Sequence, residues 1–185
     1  GNMHLGNART ALFNYIFTKS VGGKLLLRIE DTDKERSTEE SIKSIYDNLD
    51  WLGITFDGDP VLQSNNIDRH RKIANILLNK GLAYKCYCSS EELSEMREEA
   101  LKNNLPPKYN RMWRDRIATE EESKKPYVIR IKAPLDGETI INDSIKGEVK
   151  RKNSELDDMI LIRSDGTPVY QLAVVVDDYD MGVNY

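Results

Sequence analysis

Cysteine is nearly absent from this 185-residue chain: Cys86 and Cys88 are its two, one residue apart. Neighbouring thiols cannot staple distant segments, so no disulfide framework is expected, which fits a reducing compartment. Histidine is equally scarce, with His4 and His70 alone. No Ser/His/Asp or Cys/His nucleophile is visible. No apolar run approaches the roughly 18 residues of a membrane span, and no signal peptide opens the chain. A soluble, cytoplasmic protein with no membrane partner is therefore expected. Repeats and low-complexity segments are missing. So is any excess of positive charge: 27 basic residues face 31 acidic ones, for a net charge of −4. That argues against a general polyanion binder but leaves room for a local basic patch.

What is present is a globular composition. Hydrophobic residues make up 39% and charged residues 31%, so a packed core under a solvated surface is expected. The length suits one domain, or one domain with an insertion. The first residue is not Met and both ends lie in patterned sequence, so a piece of a longer polypeptide is expected.

The chain opens Gly1-Asn2-Met3-His4-Leu5-Gly6-Asn7, and an amphipathic segment follows at once, with Leu5, Leu12 and Ile16 at helical spacing. His4 and Gly6 therefore stand where a loop becomes a helix. A helix N-terminus carries unpaired N–H groups and the positive end of the dipole, which suits phosphate. Gly6 has no Cβ, so a ligand can approach the backbone closely. His4 can hydrogen-bond a phosphate without bringing a permanent charge. A surface histidine beside a turn is the plainer alternative.

Helix 8–20 is expected to end at Gly22-Gly23. Residues 24–30 read as a buried parallel strand, with Leu25, Leu26, Leu27 and Ile29 nearly continuous. Ser37-Thr38-Glu39-Glu40 reads as a capping box for a helix over 41–52. A short strand is expected at 54–56, a turn at 57–60, and a helix over 68–79 in which His70 lies on a polar surface. This alternation implies a doubly wound parallel sheet. From Ala83 the character changes. A strand at 84–88 leaves that sheet, and Ser89-Ser90-Glu91-Glu92 caps a charged helix through Asn103. Lys108, Arg111, Arg114 and Arg116 form a local basic cluster interleaved with Tyr109 and Trp113. β-like pieces follow at 127–132, 138–142 and 147–150, then a hairpin of 159–163 with 168–171. Residues 172–180 suit either a helix or a buried strand.

Arg28-Ile29-Glu30-Asp31-Thr32-Asp33 sets three acids and a base at the C-terminal end of the predicted strand. In open α/β sheets the ligand crevice lies at that end. A carboxylate there can hold an ammonium group or a ribose hydroxyl, or bind Mg²⁺. A charged turn with a helix N-cap would explain Asp33 and Thr32 but not Glu30.

Together these stretches resemble the class I aminoacyl-tRNA synthetases and, within them, the bacterial glutamyl-tRNA synthetases. The resemblance rests on the G-x-x-H-x-G helix start, the strand ending in R-I-E-D-T-D, Trp51-Leu52-Gly53 and Gln63-Ser64. It continues through Tyr84 to Cys88, Pro126 to Arg130, Asn153 to Asp158, Arg163 to Tyr170, and Val175-Val176-Asp177-Asp178 with Asp180 to Val183. The set is collinear from the first residue to the last.

The resemblance implies an α/β, Rossmann-like class I catalytic domain with a parallel sheet, interrupted by an α+β acceptor-stem-binding insertion. Residues 1–85 would be its first part, 86–168 the insertion and 169–185 the start of the second part. It also implies glutamate–tRNA ligase activity, with ATP, Mg²⁺, L-glutamate and tRNA(Glu) as partners, in a monomer. His4 and Gly6 would be catalytic and, with Asn7, would contact ATP. Glu30 would hold the glutamate α-amino group and Tyr170 would line the glutamate pocket. Asp33 and Arg36 would face the tRNA 3′ end, and Arg111, Arg114 and Arg116 the acceptor-stem phosphates, with Tyr109 and Trp113 as stacking groups. A solvated loop with a core tryptophan is the alternative for that cluster.

Some bacterial relatives hold a zinc in the insertion, through a Cys-x-Cys pair and a second pair after the charged helix. Here the later segment, Tyr109 to Asp115, carries no Cys or His, and zinc normally takes four ligands, so no structural zinc is expected. The family's second ATP loop and anticodon region lie outside the sequence, so the piece alone is expected to be inactive. Glutaminyl-tRNA synthetase is a neighbouring alternative, but its strand ends Asp-Asp-Thr-Asn, and Asp33 favours glutamate. A paralogue that glutamylates a modified tRNA base, a ligase that also charges tRNA(Gln), a small nucleotidyltransferase and an RNA-binding fragment without chemistry are further alternatives.

Overall fold

The computed structural model describes residues 3–32 and 37–185. The chain forms two compact units, Gly1–Ile67 and Asp68–Tyr185.

In the first unit, α1 (Leu5–Val21) begins earlier than its apolar spacing suggests, because His4 caps it. Gly22 closes it in the left-handed conformation at φ 66°. The strand β1 (Arg28–Ile29) is shorter than predicted. The Leu25 carbonyl accepts the Asp57 amide at 2.7 Å outside the ladder, and the Leu27 carbonyl accepts the Val61 amide at 2.9 Å where the ladder begins. After α2 (Glu39–Trp51), whose cap Thr38 accepts the Ser41 amide at 3.2 Å, the expected strand at 54–56 does not form. The Ile54 amide is bonded back to the Leu49 carbonyl at 2.9 Å, with Gly53 at φ 68° between them. This backward bond ends the helix and leaves Ile54 as a buried plug rather than a strand residue. The partner of β1 is instead β2 (Val61–Leu62), in parallel register Arg28–Val61 and Ile29–Leu62. This pair is the parallel sheet among the described residues.

The second unit is built on α3 (Ile67–Asn79), β3 (Ala83–Cys86), α4 (Ser90–Lys102) and β4 (Val128–Ile131). A hairpin, β5 (Glu138–Asp143) with β6 (Gly147–Lys152), precedes β7 (Ile160–Ile162) and α5 (Tyr170–Met181). Strands β3, β4 and β7 form an antiparallel sheet in that order. Side chains alternate across it as a period of two requires. Ala83 and Ile129 face the core made with Ala74, Leu161, Ile162, Leu172 and Val176. Tyr84 and Cys86 face a second core with Tyr109 and Trp113. The predicted second strand of the last hairpin shrinks to a single bridge between Ile162 and Pro168. The chain then turns helical, with Leu172, Ala173, Val176 and Asp177 buried on one face of α5. Helical spacing against a sheet outweighs the strand propensity of the valines at 174–176.

Candidate active site

His4 is the N-cap of α1, in extended backbone at φ −122° and ψ 170°. Its ring Nδ1 accepts the Gly6 amide at 3.1 Å, and Asn7 Oδ1 accepts the His4 amide at 3.2 Å. This is a reciprocal capping box in which imidazole and amide replace the usual hydroxyl and carboxylate. With Nδ1 accepting, the neutral ring carries its proton on Nε2. No acidic side chain occupies the first turn of α1. The positive end of the helix dipole is therefore not neutralised from within that turn.

The reason for glycine at position 6 differs from the sequence expectation. A Cβ there would stand 2.9 Å from His4 Cε1 and 3.1 Å from Nδ1. The space is needed first by the imidazole of the chain itself.

Glu30 follows β1 and is exposed; its carboxylate lies 3.5 Å from Arg28 Nη2. Asp31 has an internal task. Its two carboxylate oxygens accept the Ser64 amide at 2.7 Å and the Ser64 hydroxyl at 2.6 Å. That tie joins the ends of β1 and β2 and leaves Glu30 as the outward acid of the two. Asp33 and Arg36 lie outside the described residues. Tyr170 is the first residue of α5 and is exposed.

The basic cluster is largely turned inward. Asp158 is fully buried and gathers it. Arg114 Nη1 donates to both Asp158 oxygens at 2.8 and 2.9 Å, and Nη2 to the Ala133 carbonyl at 2.8 Å. Tyr84 donates its hydroxyl to Asp158 at 2.9 Å, and the Ala133 amide donates at 3.1 Å. Arg111, at φ 62°, lies 3.5 Å from Asp158 and donates Nη2 to the Leu156 carbonyl at 2.6 Å. Arg116 pairs with Glu122 and lies over the Trp113 ring at 4.2 Å. Arg114 is thus held inside the unit by Asp158 and the Ala133 carbonyl. Tyr109 and Trp113 are buried in the second core, which withdraws them from base stacking.

The Tyr109 hydroxyl oxygen accepts the Trp113 amide at 3.0 Å and lies 3.4 Å from Cys86 Sγ and 3.8 Å from Cys88 Sγ. Burial, then the contact with Cys86, holds the Tyr109 phenol well above its ordinary range. Burial also pushes the Cys88 thiol up to about 11. The Cys88 thiol is therefore neutral, and both sulfurs pack around the phenol. Among the described residues no group of three or more His, Cys, Asp or Glu side chains is placed to hold a metal.

His70, expected at the surface, is fully buried with Nε2 2.8 Å from Asp177 Oδ1. Its neighbour Arg69 grips Asp180, one turn along α5 from Asp177, through two bonds of 2.7 and 2.8 Å. The pairs clamp α3 to α5. Sequence reasoning missed both, because the partners stand 107 and 111 positions apart.

Comparison with known proteins adds the family. A profile described as "tRNA synthetases class I (E and Q), catalytic domain" matches residues 1–185. Glutamate–tRNA ligase 1 of Gluconacetobacter diazotrophicus is 55% identical over 185 residues, 100% of this chain and 40% of that protein. Glutamate–tRNA ligase 2 of Rhodospirillum centenum is 54% identical over the same 185 residues, again 40% of its length. The crystal structure of a glutamate tRNA ligase from Elizabethkingia meningosepticum in complex with its amino acid superposes with a TM-score of 0.85 at 35% identity. It is matched by 100% of this chain, which covers 40% of that one. The chain thus spans about 40% of the length of these relatives. It belongs to the class I tRNA synthetases of the glutamate and glutamine group, and it carries the Rossmann-like catalytic-domain fold of that family.

Proposed function

We propose that the protein containing this chain is a glutamate–tRNA ligase. It activates glutamate with ATP and transfers it to the 3′ end of tRNA(Glu), with tRNA(Gln) as a second acceptor if the enzyme does not discriminate. The observation that carries this reading is whole-chain identity of 55% to a protein of that name.

The chemistry asks for positioning and charge stabilisation. The glutamate carboxylate attacks the α-phosphorus of ATP, pyrophosphate leaves, and the tRNA terminal hydroxyl then attacks the mixed anhydride. His4, held by its bond from the Gly6 amide, has its Nε2 proton to donate to a phosphate oxygen. Gly6 and Asn7 keep that ring in place, and the α1 dipole favours the negative charge that develops there. Mg²⁺ would come as the partner of ATP and would neutralise phosphate charge; the first turn of α1 has no acid to hold it. Glu30 pairs with the substrate ammonium, Tyr170 bounds the glutamate, and Asp33 and Arg36 face the tRNA end. Within this reading 1–85 and 169–185 belong to the catalytic domain and 86–168 to the acceptor-binding insertion. The insertion is read as holding no structural zinc, because residues 109–115 supply no Cys or His to join Cys86 and Cys88. The enzyme works as a cytoplasmic monomer.

The test is pyrophosphate exchange by the full-length protein with glutamate and tRNA(Glu). Wild type should exchange with glutamate and not with glutamine. Glu30→Gln should raise the glutamate KM at least tenfold, the loss of about 1.4 kcal/mol or more of ammonium binding. Normal glutamate kinetics in that variant would remove Glu30 from the pocket. Exchange with glutamine alone would overturn the substrate assignment.

A further inference from the structure

We infer that a cavity beside α4 in the second unit binds a small α-amino acid with an apolar side chain, its carboxylate on Arg130 and its ammonium on Asp157. The cavity holds about 230 Å³ between α4, residues 107–109, β4 and the start of β7. That is more than the about 150 Å³ that takes one benzene and less than the about 300 Å³ at which drug-sized sites begin, so it suits a single amino-acid-sized molecule. Leu93, Met96, Pro107 and Ile160 give it an apolar wall.

Two groups of opposite character stand open in that wall. Arg130 is 6% exposed, and its guanidinium is fixed flat over the Tyr109 ring, with Nη1 donating to the Asp158 carbonyl at 2.8 Å. Among the described residues neither its Nη2 nor its buried Nε has a hydrogen-bond partner. Nε and Nη2 form the edge that grips a carboxylate through two parallel bonds. The Asp158 carboxylate does not fill this role, since Arg114 holds both of its oxygens. Asp157 lines the same cavity, and its Oδ1 is buried without a partner.

A buried donor or acceptor left unpaired costs free energy, so a free fork and a free carboxylate in one small cavity call for an occupant that supplies an acceptor and a donor together. A zwitterion does this with its two charged groups. The remaining walls are apolar, and the charged residues Arg97 and Lys108 are exposed, so their heads stay in water while the body of the ligand meets hydrocarbon. Because Arg130 is already held by Tyr109 and Asp158, little order is lost when the carboxylate arrives.

The experiment follows the Met96 methyl by NMR in the full-length protein labelled with methyl-¹³C methionine. Met96→Leu assigns the resonance, and Met181, at the end of α5, is the internal control. The probes are L-leucine, 4-methylpentanoate, which lacks the ammonium, and 3-methylbutylamine, which lacks the carboxylate. L-Leucine should shift Met96 saturably with a Kd of about 1 mM and leave Met181 unmoved. Each truncated probe should bind at least about tenfold more weakly, because one charged hydrogen-bonded contact is gone. Asp157→Asn should weaken L-leucine about tenfold and leave 4-methylpentanoate unchanged. Arg130→Lys, which keeps the cation and removes the fork, should weaken both carboxylates and leave 3-methylbutylamine unchanged; if that variant does not fold, Asp157→Asn decides alone. No Met96 shift at about 20 mM L-leucine overturns the proposal and leaves water as the partner of the two groups. An equal response to all three probes overturns it too, as does Asp157→Asn binding L-leucine like wild type. Tighter binding of L-glutamate than of L-leucine at Met96 overturns the apolar ligand class. Met96 reports the cavity directly, so the outcome is independent of the ligase reading.

Discussion

Replacing Asp158 by Asn should damage the second unit more than any single surface change. The carboxylate is fully buried and receives Arg114 on both oxygens, the Tyr84 hydroxyl on one and the Ala133 amide on the other. An amide in the same place turns one acceptor into a donor that faces a donor. It also leaves the Arg114 guanidinium, 14% exposed, without its counter-charge. Breaking a buried ion pair from one side costs about 3–5 kcal/mol. The partial exposure of Arg114 and the remaining Ala133 carbonyl contact reduce this to about 2–4 kcal/mol. For a chain of this size that is a fall in Tm of about 5–15 °C. The assay is urea unfolding followed by fluorescence of Trp113, which is buried, in a Trp51→Phe background. A loss under about 1 kcal/mol, the level of an exposed pair, would refute the account of Asp158 as the charge that organises this unit.

Gly6→Ala should abolish most pyrophosphate exchange in the full-length enzyme while barely moving Tm. The added methyl displaces the His4 ring, costing about 1 kcal/mol of cap, while alanine returns about 1 kcal/mol of helix propensity. Exchange at the wild-type rate would show that the seat of the ring does not matter. Tyr109→Phe should flatten the alkaline fall in stability. Burial raises the folded-state phenols of Tyr84 and Tyr109, so their contribution is complete below the ordinary phenol value of about 10 and is lost as pH rises beyond it. Tm measured from pH 8 to 11 should decline less in the variant; parallel curves would contradict this.

Local chemistry was legible in the sequence where one short segment contains both partners. Thr38 and Ser89 announce their helices because cap and capped amide stand three positions apart. The loop-to-helix junction at His4 is legible for the same reason. Pairings across the chain were not. Nothing near Arg114 marks Asp158, 44 positions on, as its partner, so the run of arginines looked solvent-facing. His70 sits among Asp68, Arg69, Arg71 and Lys72, which hides that its own side chain turns inward. Within the candidate site, the position of His4 follows from spacing. The dependence of Gly6 on the imidazole, and the internal duty of Asp31 beside an outward Glu30, follow only from three-dimensional neighbours.

The strict alternation along β4 has a consequence for how this sheet can assemble. Ile129 and Ile131 point to one side, while Arg130 points to the other, with its guanidinium 4.0 Å over the Tyr109 ring and Nη1 bonded to the Asp158 carbonyl. Sliding this strand by one position along β3 would drive a permanent cation into the oily layer around Ala74 and take the guanidinium away from the Tyr109 ring and the Asp158 carbonyl. A single arginine therefore acts as a lock on strand alignment, and mispaired chains are rejected by the high cost of dehydrating it.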